Sequence, residues 1–329
     1  MTDAVEGDRT LPGPVRPERL VMMGVELGQG GEAFWDARRE LAQTSFGVLL
    51  KILHTAPPSS ELASEAWERT LASPEAQALL EEEEPDFESL DLLLDRIGSD
   101  GAGAILDLLS ESDSLSTRSK LYTRLAGLGP AIAPEVIRRT RDDRWFARRN
   151  MLALMSEFDE WPRKWSPAEL SEDEHPAVRR EALKLMLRVP DCRDRALCGL
   201  LSDGEPRAIS LGLAAAVESC PPEAVLLLGD IARDETVAAE LRVMAVRALG
   251  LSGDEDAVAP LLEIVRDEMP KGPRFLRSRR SQGSPVMLAA LQALSTFPDC
   301  PAEAQRILAK AAGSKDPAIR AAAVGSQEA

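Results

Sequence analysis

The sequence predicts an all-α fold, a right-handed α-solenoid in which helix pairs stack into a superhelix. Three observations predict it. The 329-residue chain has only 4% aromatic residues and one tyrosine, while alanine and leucine, which favour closely packed helices, are abundant. Apolar residues recur at helical spacing in many segments. These segments themselves recur about every 31–33 residues, which is the signature of a repeat architecture.

The segment 173–186, DEHPAVRREALKLM, shows the helical pattern most clearly. Its apolar residues fall at positions i, i+4, i+7 and i+8, which form one face of an α-helix. These residues are Val178, Ala182, Leu185 and Met186. Related segments occur at 142–155, 204–217, 242–250, 284–294 and 315–325. The pattern therefore predicts a helix that returns along the chain with one apolar face.

Each segment has an apolar residue near its start, such as Val178 in 173–186. Aligning the segments on the residue that follows it gives the repeat period. The aligned residues are Arg148, Arg179, Ile209, Arg242, Met287 and Arg320, at intervals of 31, 30, 33, 45 and 33 residues. A second apolar helix lies between copies, for example at 133–140 and 255–265. One helix pair cannot bury its apolar face alone, so neighbouring pairs must stack.

Arginine occupies four of the six aligned positions, and an acidic residue precedes each arginine by a few residues. The arginines are Arg148, Arg179, Arg242 and Arg320, and the acids are Asp143, Glu174, Asp234 and Asp316. We expect the acid and the arginine at one junction to pair with those of the next repeat and so form a ladder. This interpretation makes the four arginines structural residues of the repeat.

The chain divides into three regions. Residues 1–19 are rich in proline, glycine and charge, which predicts a disordered tail. Residues 20–99 read as an acidic helical region, either a cap or degenerate repeats. It contains a long helical pattern from about Glu32 to His54 and helix starts at Pro57–Pro58, Ser73–Pro74 and Pro85–Asp86. Residues 100–329 form the repeat region, with a basic insertion at 266–283.

The net charge of −16 is unevenly distributed. Residues 51–113 carry 3 basic and 16 acidic side chains, while residues 114–329 carry 31 of each. The acidity therefore belongs to the N-terminal region. A general nucleic-acid binder needs a strong basic surplus, and no large region has one. We therefore expect no nucleic-acid partner.

The residue pattern predicts no catalytic, metal or cofactor site. The four cysteines (Cys192, Cys198, Cys220 and Cys300) show no CxxC spacing. The only two histidines, His54 and His175, form no HExxH motif, and we expect His175 to lie in an inter-repeat turn. The chain begins without a secretory pattern, and its apolar runs are too short to span a bilayer. These features predict a cytoplasmic protein without membrane contact.

The repeated pattern D-x-x-x-V-R-x-x-A-L resembles HEAT-like repeats of the bilin-lyase (PBS lyase) type. The segment LGPAIAPEVIRRTRDDRWFARRNMLALM at 128–155 resembles bacterial HEAT-repeat proteins in particular. The resemblance covers roughly residues 90–325 and implies an armadillo-like helical solenoid. It says little about function, because the pattern consists of packing residues.

Two basic segments are candidate binding sites. The first lies in the insertion, where a solenoid often carries its binding face, and comprises Lys271, Arg274, Phe275, Arg277, Arg279 and Arg280. The alternative interpretation is a solvated loop. The second comprises Arg138, Arg139, Arg141 and Arg144 with Trp145. Its alternative interpretation is an exposed helix face.

The sequence favours a non-enzymatic scaffold or adaptor that binds another protein, or a second copy of itself, on the solenoid surface. A nucleic-acid-binding role, as in HEAT-like DNA-repair glycosylases, is one alternative. A chromophore chaperone of the bilin-lyase type is the other, and only the repeat resemblance implies it.

Overall fold

The computed structural model describes residues 15–269, 283–297 and 300–324. All regular structure in these ranges is helical and no strand occurs in them, which confirms the predicted all-α class. The chain forms two compact units. Unit 1 contains residues up to Arg141 together with 157–162, and unit 2 contains 142–156 and the residues from Arg163 onward. The predicted boundary after residue 99 lies inside unit 1.

Unit 1 contains nine α-helices among its described residues. They are α1 (Pro17–Leu27), α2 (Glu32–Thr44), α3 (Phe46–His54), α4 (Glu61–Leu71), α5 (Pro74–Glu81), α6 (Phe87–Ile97), α7 (Ala102–Glu111), α8 (Leu115–Gly127) and α9 (Ala133–Arg139). The first helix begins inside the segment 1–19 that was predicted as a disordered tail. Proline suits this first position because it lacks an N–H, and Val21 and Val25 of α1 are buried.

The predicted continuous helix from Glu32 to His54 is wrong, because the chain breaks at Ser45. Ser45 adopts φ −154° and ψ 59°, outside the helical region. Its N–H still bonds to the Leu41 carbonyl, which ends α2. The break redirects the chain so that Leu41 of α2 and Leu49 of α3 both reach the same core. Tertiary packing therefore overrides the local helical pattern.

Side-chain caps begin α4, α5 and α6. Ser60, Ser73 and Asp86 each accept a hydrogen bond from a backbone N–H in the first turn of the helix that follows. The second and third caps agree with the predicted helix starts. The start predicted at Pro57–Pro58 is displaced, because Ser60 supplies the cap. The acidic run EEEEPD at 81–86 forms the end of α5 and the loop before α6.

Unit 2 contains ten α-helices among its described residues. They are α10 (Trp145–Met155), α11 (Pro176–Met186), α12 (Pro190–Ser202), α13 (Pro206–Glu218), α14 (Pro222–Arg233), α15 (Ala239–Ser252), α16 (Val258–Glu268), α17 (Pro285–Thr296), α18 (Ala302–Ala312) and α19 (Pro317–Val324). Helices α10, α11, α13, α15, α17 and α19 are the first helices of the repeats. A 3₁₀ helix, Pro167–Glu172, replaces the second helix after α10.

The first helices of unit 2 stack in two groups. Helix α10 packs on α11, and α13, α15, α17 and α19 pack each on the next, while α12 packs against both α11 and α13. The second helices α12, α14 and α16 pack in the same order. One continuous apolar core runs from Leu197 of α12 to Ala323 of α19, and a separate cluster joins Leu183 and Met186 of α11 to Leu200 of α12. Within unit 2, the predicted stacking of helix pairs is therefore present.

The repeat alignment is correct at five positions and wrong by one residue at the sixth. Arg148, Arg179, Ile209, Arg242 and Arg320 are each the fourth residue of a first helix. Met287 is only the third residue of α17. It is 1% exposed, so it occupies the position of the buried apolar residue that precedes the aligned one. Its neighbour Leu288 holds the fourth position. Both are apolar, so the sequence pattern alone could not distinguish them.

The closest helix contacts in unit 2 depend on small residues. A Cβ atom placed on Gly250 of α15 would lie 2.7 Å from the Cβ of Ala293 on α17.

We expect Gly250→Ala to lower the free energy of unfolding by about 1–3 kcal/mol, because one of the two helices must shift. Urea denaturation followed by circular dichroism measures this. Gly204→Ala is the control, since a Cβ there would meet no atom within 4 Å; equal losses in both variants would contradict the close-contact explanation.

Candidate functional site

The junction between α10 and α11 is organised around Arg148. Its guanidinium donates from Nε and Nη2 to both carboxylate oxygens of Asp173, at 2.8 and 3.0 Å. Its Nη1 donates to the carbonyls of Asp142 and Asp143, in the turn before α10. Asp173 in turn accepts the N–H of His175 at 2.9 Å. One arginine thus holds two successive turns together.

The next junction repeats this arrangement. Arg179 donates to both oxygens of Asp203, at 2.9 and 3.4 Å, and to the carbonyls of Asp173 and Glu174. Asp203 accepts the N–H of Glu205. Two consecutive rungs of the predicted ladder are therefore visible in the geometry. In both, the partner acid is the aspartate at the start of the turn, 24 or 25 residues after the arginine.

The other predicted ladder arginines make different contacts. Arg242 donates to the Ala232 carbonyl at 2.9 Å and lies 3.5 Å from Glu268. Arg320 binds the carbonyls of Ser314 and Lys315, both at 2.9 Å. No carboxylate partner is shown for it within residues 15–269, 283–297 and 300–324. The ladder thus changes along the stack, and the third junction carries Ile209 in place of an arginine.

Burial and ion pairing oppose each other in the first rung. Burial acts to raise the pKa of Asp173, but hydrogen bonds from Arg148 and from the His175 N–H outweigh it and hold that pKa below its usual value. The same bond to Asp173 raises the pKa of Arg148. In the preceding turn, the hydrogen bond from Arg144 lowers the pKa of Asp142 to about 2. These groups are therefore ionised in the folded state at neutral pH.

Next to the first rung lies a cluster that we call the Trp145 surface. It consists of the exposed rings of Trp145 and Phe146, the half-buried ring of His175 and the exposed side chain of Arg144. The rings of Trp145 and His175 stack face to face, with centroids 3.7 Å apart and an interplanar angle of 7°. Phe146 meets Trp145 edge-on at 6.0 Å, and the Arg144 guanidinium lies 5.6 Å from the Phe146 ring. The surface combines residues that are 30 positions apart in the chain.

His175 lies in the inter-repeat turn, as the sequence predicted. It is the N-cap of α11, and its Nδ1 accepts the N–H of Ala177 at 3.3 Å. The cap and the N–H bond to Asp173 together fix the orientation of the ring. The imidazole is therefore positioned as a platform for Trp145.

The second predicted basic segment is split between the two units. Arg138, Arg139 and Arg141 belong to unit 1, whereas Arg144 and Trp145 belong to unit 2. Arg139 is 13% exposed and binds Asp107, Glu135 and the Gly103 carbonyl, so it is a packing residue of unit 1. Arg138 is exposed and pairs with Glu135. Arg141 is also exposed.

The first predicted basic segment lies outside the described residues. This applies to Lys271, Arg274, Phe275, Arg277, Arg279 and Arg280. Sequence reasoning also missed Phe146 and His175 as members of the Trp145 surface. Adjacency to Trp145 was an available signal for Phe146. No local signal pointed to the stacking of His175.

Unit 1 contains a surface pocket of about 230 Å³. Apolar side chains, including those of Leu53 and Trp67, line it together with His54, Asp95 and Arg96. The Trp67 indole N–H donates to the Leu53 carbonyl at 3.2 Å. Across the described ranges, no group of three or more metal-ligating side chains is close enough to hold an ion. No helix in those ranges has the length and apolar character needed to cross a membrane.

Comparisons with known proteins assign no family to this geometry. No family model matches the chain, and no curated protein shows significant similarity to it. The interpretation of the Trp145 surface therefore depends on its own contacts. These are the buried Arg148–Asp173 ion pair, the stack of Trp145 on His175, and the neighbouring rings of Trp145 and Phe146, which are 43% and 40% exposed.

Removing one partner of the first rung should destabilise the protein strongly. The side chains of Arg148 and Asp173 are 11% and 8% exposed, so Arg148→Ala leaves a carboxylate buried without its partner. We expect a loss of about 3 kcal/mol or more in the free energy of unfolding. The control is Arg195→Ala, because Arg195 pairs with Glu172 in solvent, at 68% and 81% exposure, and should cost less than about 1 kcal/mol. If Arg148→Ala and Arg195→Ala lose similar free energies of unfolding in urea denaturation, then burial does not make the Arg148–Asp173 pair more important for stability.

The acid sensitivity of unit 2 follows from the lowered carboxyl pKa values. The pKa of Asp142 falls from 3.8 to about 2 on folding, so in this pH range the unfolded chain binds more protons than the folded one. The stability that Asp142 contributes is therefore fully present above about pH 4 and is lost as the pH falls toward 2. We expect Asp142→Asn to flatten this dependence in urea titrations between pH 5 and 2.5. The assignment is wrong if the free energy of unfolding of Asp142→Asn falls with pH as steeply as that of the wild type and of the Asp143→Asn control.

Proposed function

We propose that this chain is a non-enzymatic scaffold that binds another protein through the Trp145 surface. The observation that carries the proposal is the exposure of two adjacent large aromatic side chains, Trp145 and Phe146, beside an arginine. Tryptophan and arginine are enriched among the residues that dominate binding energy at protein interfaces. Apolar rings left in water are otherwise unfavourable, by about 25 cal/mol for each Å² of apolar surface.

The support beneath the rings favours a binding role. Arg148 and Asp173 fix the two turns, and the cap made by His175 fixes the imidazole on which Trp145 stacks. Trp145 is therefore held in place before any partner arrives, which lowers the entropic cost of binding. A side chain that merely covered a helix end would not need such support.

The proposal assigns no catalytic residue and no cofactor. The ring of His175 is already used in the helix cap and in the stack with Trp145. We further propose that the chain is a member of the HEAT-like repeat proteins and acts in the cytoplasm. Arginine at the fourth position of four first helices supports the family, as does the pairing of Arg148 and Arg179 across successive junctions.

Affinity capture from the native organism tests this function. The double variant Trp145→Ser/Phe146→Ser removes both rings, and we expect partner affinity to fall about 30-fold or more, the effect of losing a hot spot worth about 2 kcal/mol. The control is Leu226→Ser/Leu251→Ser, which removes two side chains exposed at 74% and 66% elsewhere in unit 2. Mass spectrometry identifies proteins retained by the wild type and by this control but lost from the ring variant.

A different function would give a different result in the same preparation. A bound tetrapyrrole in the purified chain, seen as visible absorbance, would favour the chromophore chaperone. Tight binding to duplex DNA at low salt would favour the nucleic-acid role. Equal capture by the wild type and the ring variant would remove the Trp145 surface from the proposal.

A further inference from the structure

The cations around the Trp145 surface are largely neutralised within the protein. Arg144 pairs with Asp142 at 2.9 Å, and Arg148 pairs with Asp173. Arg149 bonds to the side-chain oxygen of Asn150 at 2.9 Å. Of these three arginines, only Arg149 has no carboxylate partner within the described residues.

Two carboxylates at the same place remain available. Asp143, two residues before Trp145, is exposed, and its side chain has no hydrogen bond or ion pair among the described residues. Glu174, the residue before His175, is 89% exposed and lies 3.9 Å from an Arg148 guanidinium that is already held by Asp173. Each of the two turns thus supplies one exposed carboxylate, next in sequence to His175 or two residues from Trp145.

This arrangement fits a ligand that is cationic and apolar together. A lysine or arginine side chain gains from a position over an aromatic ring and from pairing with Asp143 or Glu174. An apolar neighbour in the same ligand would cover the exposed parts of Trp145 and Phe146. The complementary chemistry is a short basic peptide with an aromatic or aliphatic residue between its cations.

We propose that the ligand is residues 270–282 of a second copy of this chain. This inference rests on the proposed protein-binding function and names its partner. The segment MPKGPRFLRSRRSQ, at 269–282, carries five basic residues and no acidic one, and Phe275 and Leu276 lie between its cations. It is the part of the sequence in which the required combination of charge and apolar side chains is most concentrated.

The segment cannot reach the Trp145 surface of its own chain. Four steps separate α10 from α17 along the first helices, and at 8–10 Å for each helix contact this is roughly 32–40 Å. Phe275 is six residues from Met269, the end of the described chain after α16, and six residues span at most about 22 Å. The contact is therefore between molecules.

Such a contact joins two different surfaces, one from each copy. A contact of this kind leaves a free donor segment at one end and a free Trp145 surface at the other, so it extends into rings or chains of molecules. The observed mass should therefore rise continuously with concentration and fall with added salt, because ion pairs at exposed positions are screened.

A peptide of residues 269–283, labelled with a fluorophore, tests the contact against the full-length chain by fluorescence anisotropy. We expect saturable binding that weakens at least 10-fold with Trp145→Ser, and also with Asp143→Asn/Glu174→Gln. The control is Glu223→Gln/Glu240→Gln, which removes two exposed carboxylates of unit 2 away from this surface and should bind as the wild type does. A peptide with Phe275→Ser should also bind more weakly.

Sedimentation of the full-length chain gives a second measurement. The wild type should self-associate, and Arg274→Ser/Arg277→Ser/Arg279→Ser/Arg280→Ser should stay monomeric at the same concentrations. No peptide binding, or equal binding by all the protein variants, overturns the inference. If a cellular protein is still captured through Trp145 and Phe146 in that case, the proposed function stands and only its partner is wrong. If that capture fails as well, both are wrong.

Discussion

The ion pair between Arg148 and Asp173 is the interaction on which the first junction of unit 2 depends. A single guanidinium binds the carboxylate of one turn and two carbonyls of the turn before it. The same carboxylate holds the N–H of His175. A buried charge pair is a weak source of net stability, but it accepts few alternative arrangements. Its contribution here is to fix the positions of two turns relative to each other. The rings of Trp145 and His175, which follow those turns, are thereby held in contact.

The sequence predicted the helices of unit 2 well, because their apolar spacing reflects burial in the stack. It located the ladder arginines at the fourth helical position but not their partners. Asp173 and Glu174 are adjacent acids, and the pattern pointed to Glu174. Only the turn geometry decides that Asp173 faces inward while Glu174 stays 89% exposed. The break at Ser45 was not predicted for a related reason. It allows α2 and α3 to pack into the same core, and such tertiary contacts are not visible in the local apolar pattern.

The candidate site was harder to predict, because sequence adjacency and spatial adjacency differ there. The arginines from Arg138 to Arg144 look like one basic segment, yet they are divided between two units. Arg139 forms ion pairs with Asp107 and Glu135 inside unit 1. Conversely, His175 is 30 residues from Trp145 and lies against its ring. A repeat brings together residues about one period apart, and the neighbour of Trp145, the first residue of α10, is the N-cap of the first helix one repeat later.

The same ladder explains why charge counts describe this surface poorly. Residues 114–329 contain equal numbers of basic and acidic side chains, which suggests a neutral surface throughout. Arg148 and Arg179, however, point into the junctions and are bound there, while Asp143 and Glu174 remain in solvent beside the rings. Each ladder pair removes one arginine and one aspartate from the surface, so the charges that a ligand meets are those of the exposed side chains that remain, Asp143 and Glu174 among them. The basic run lies at 271–280 in the sequence, and this separation of the two within one chain favours recognition between copies.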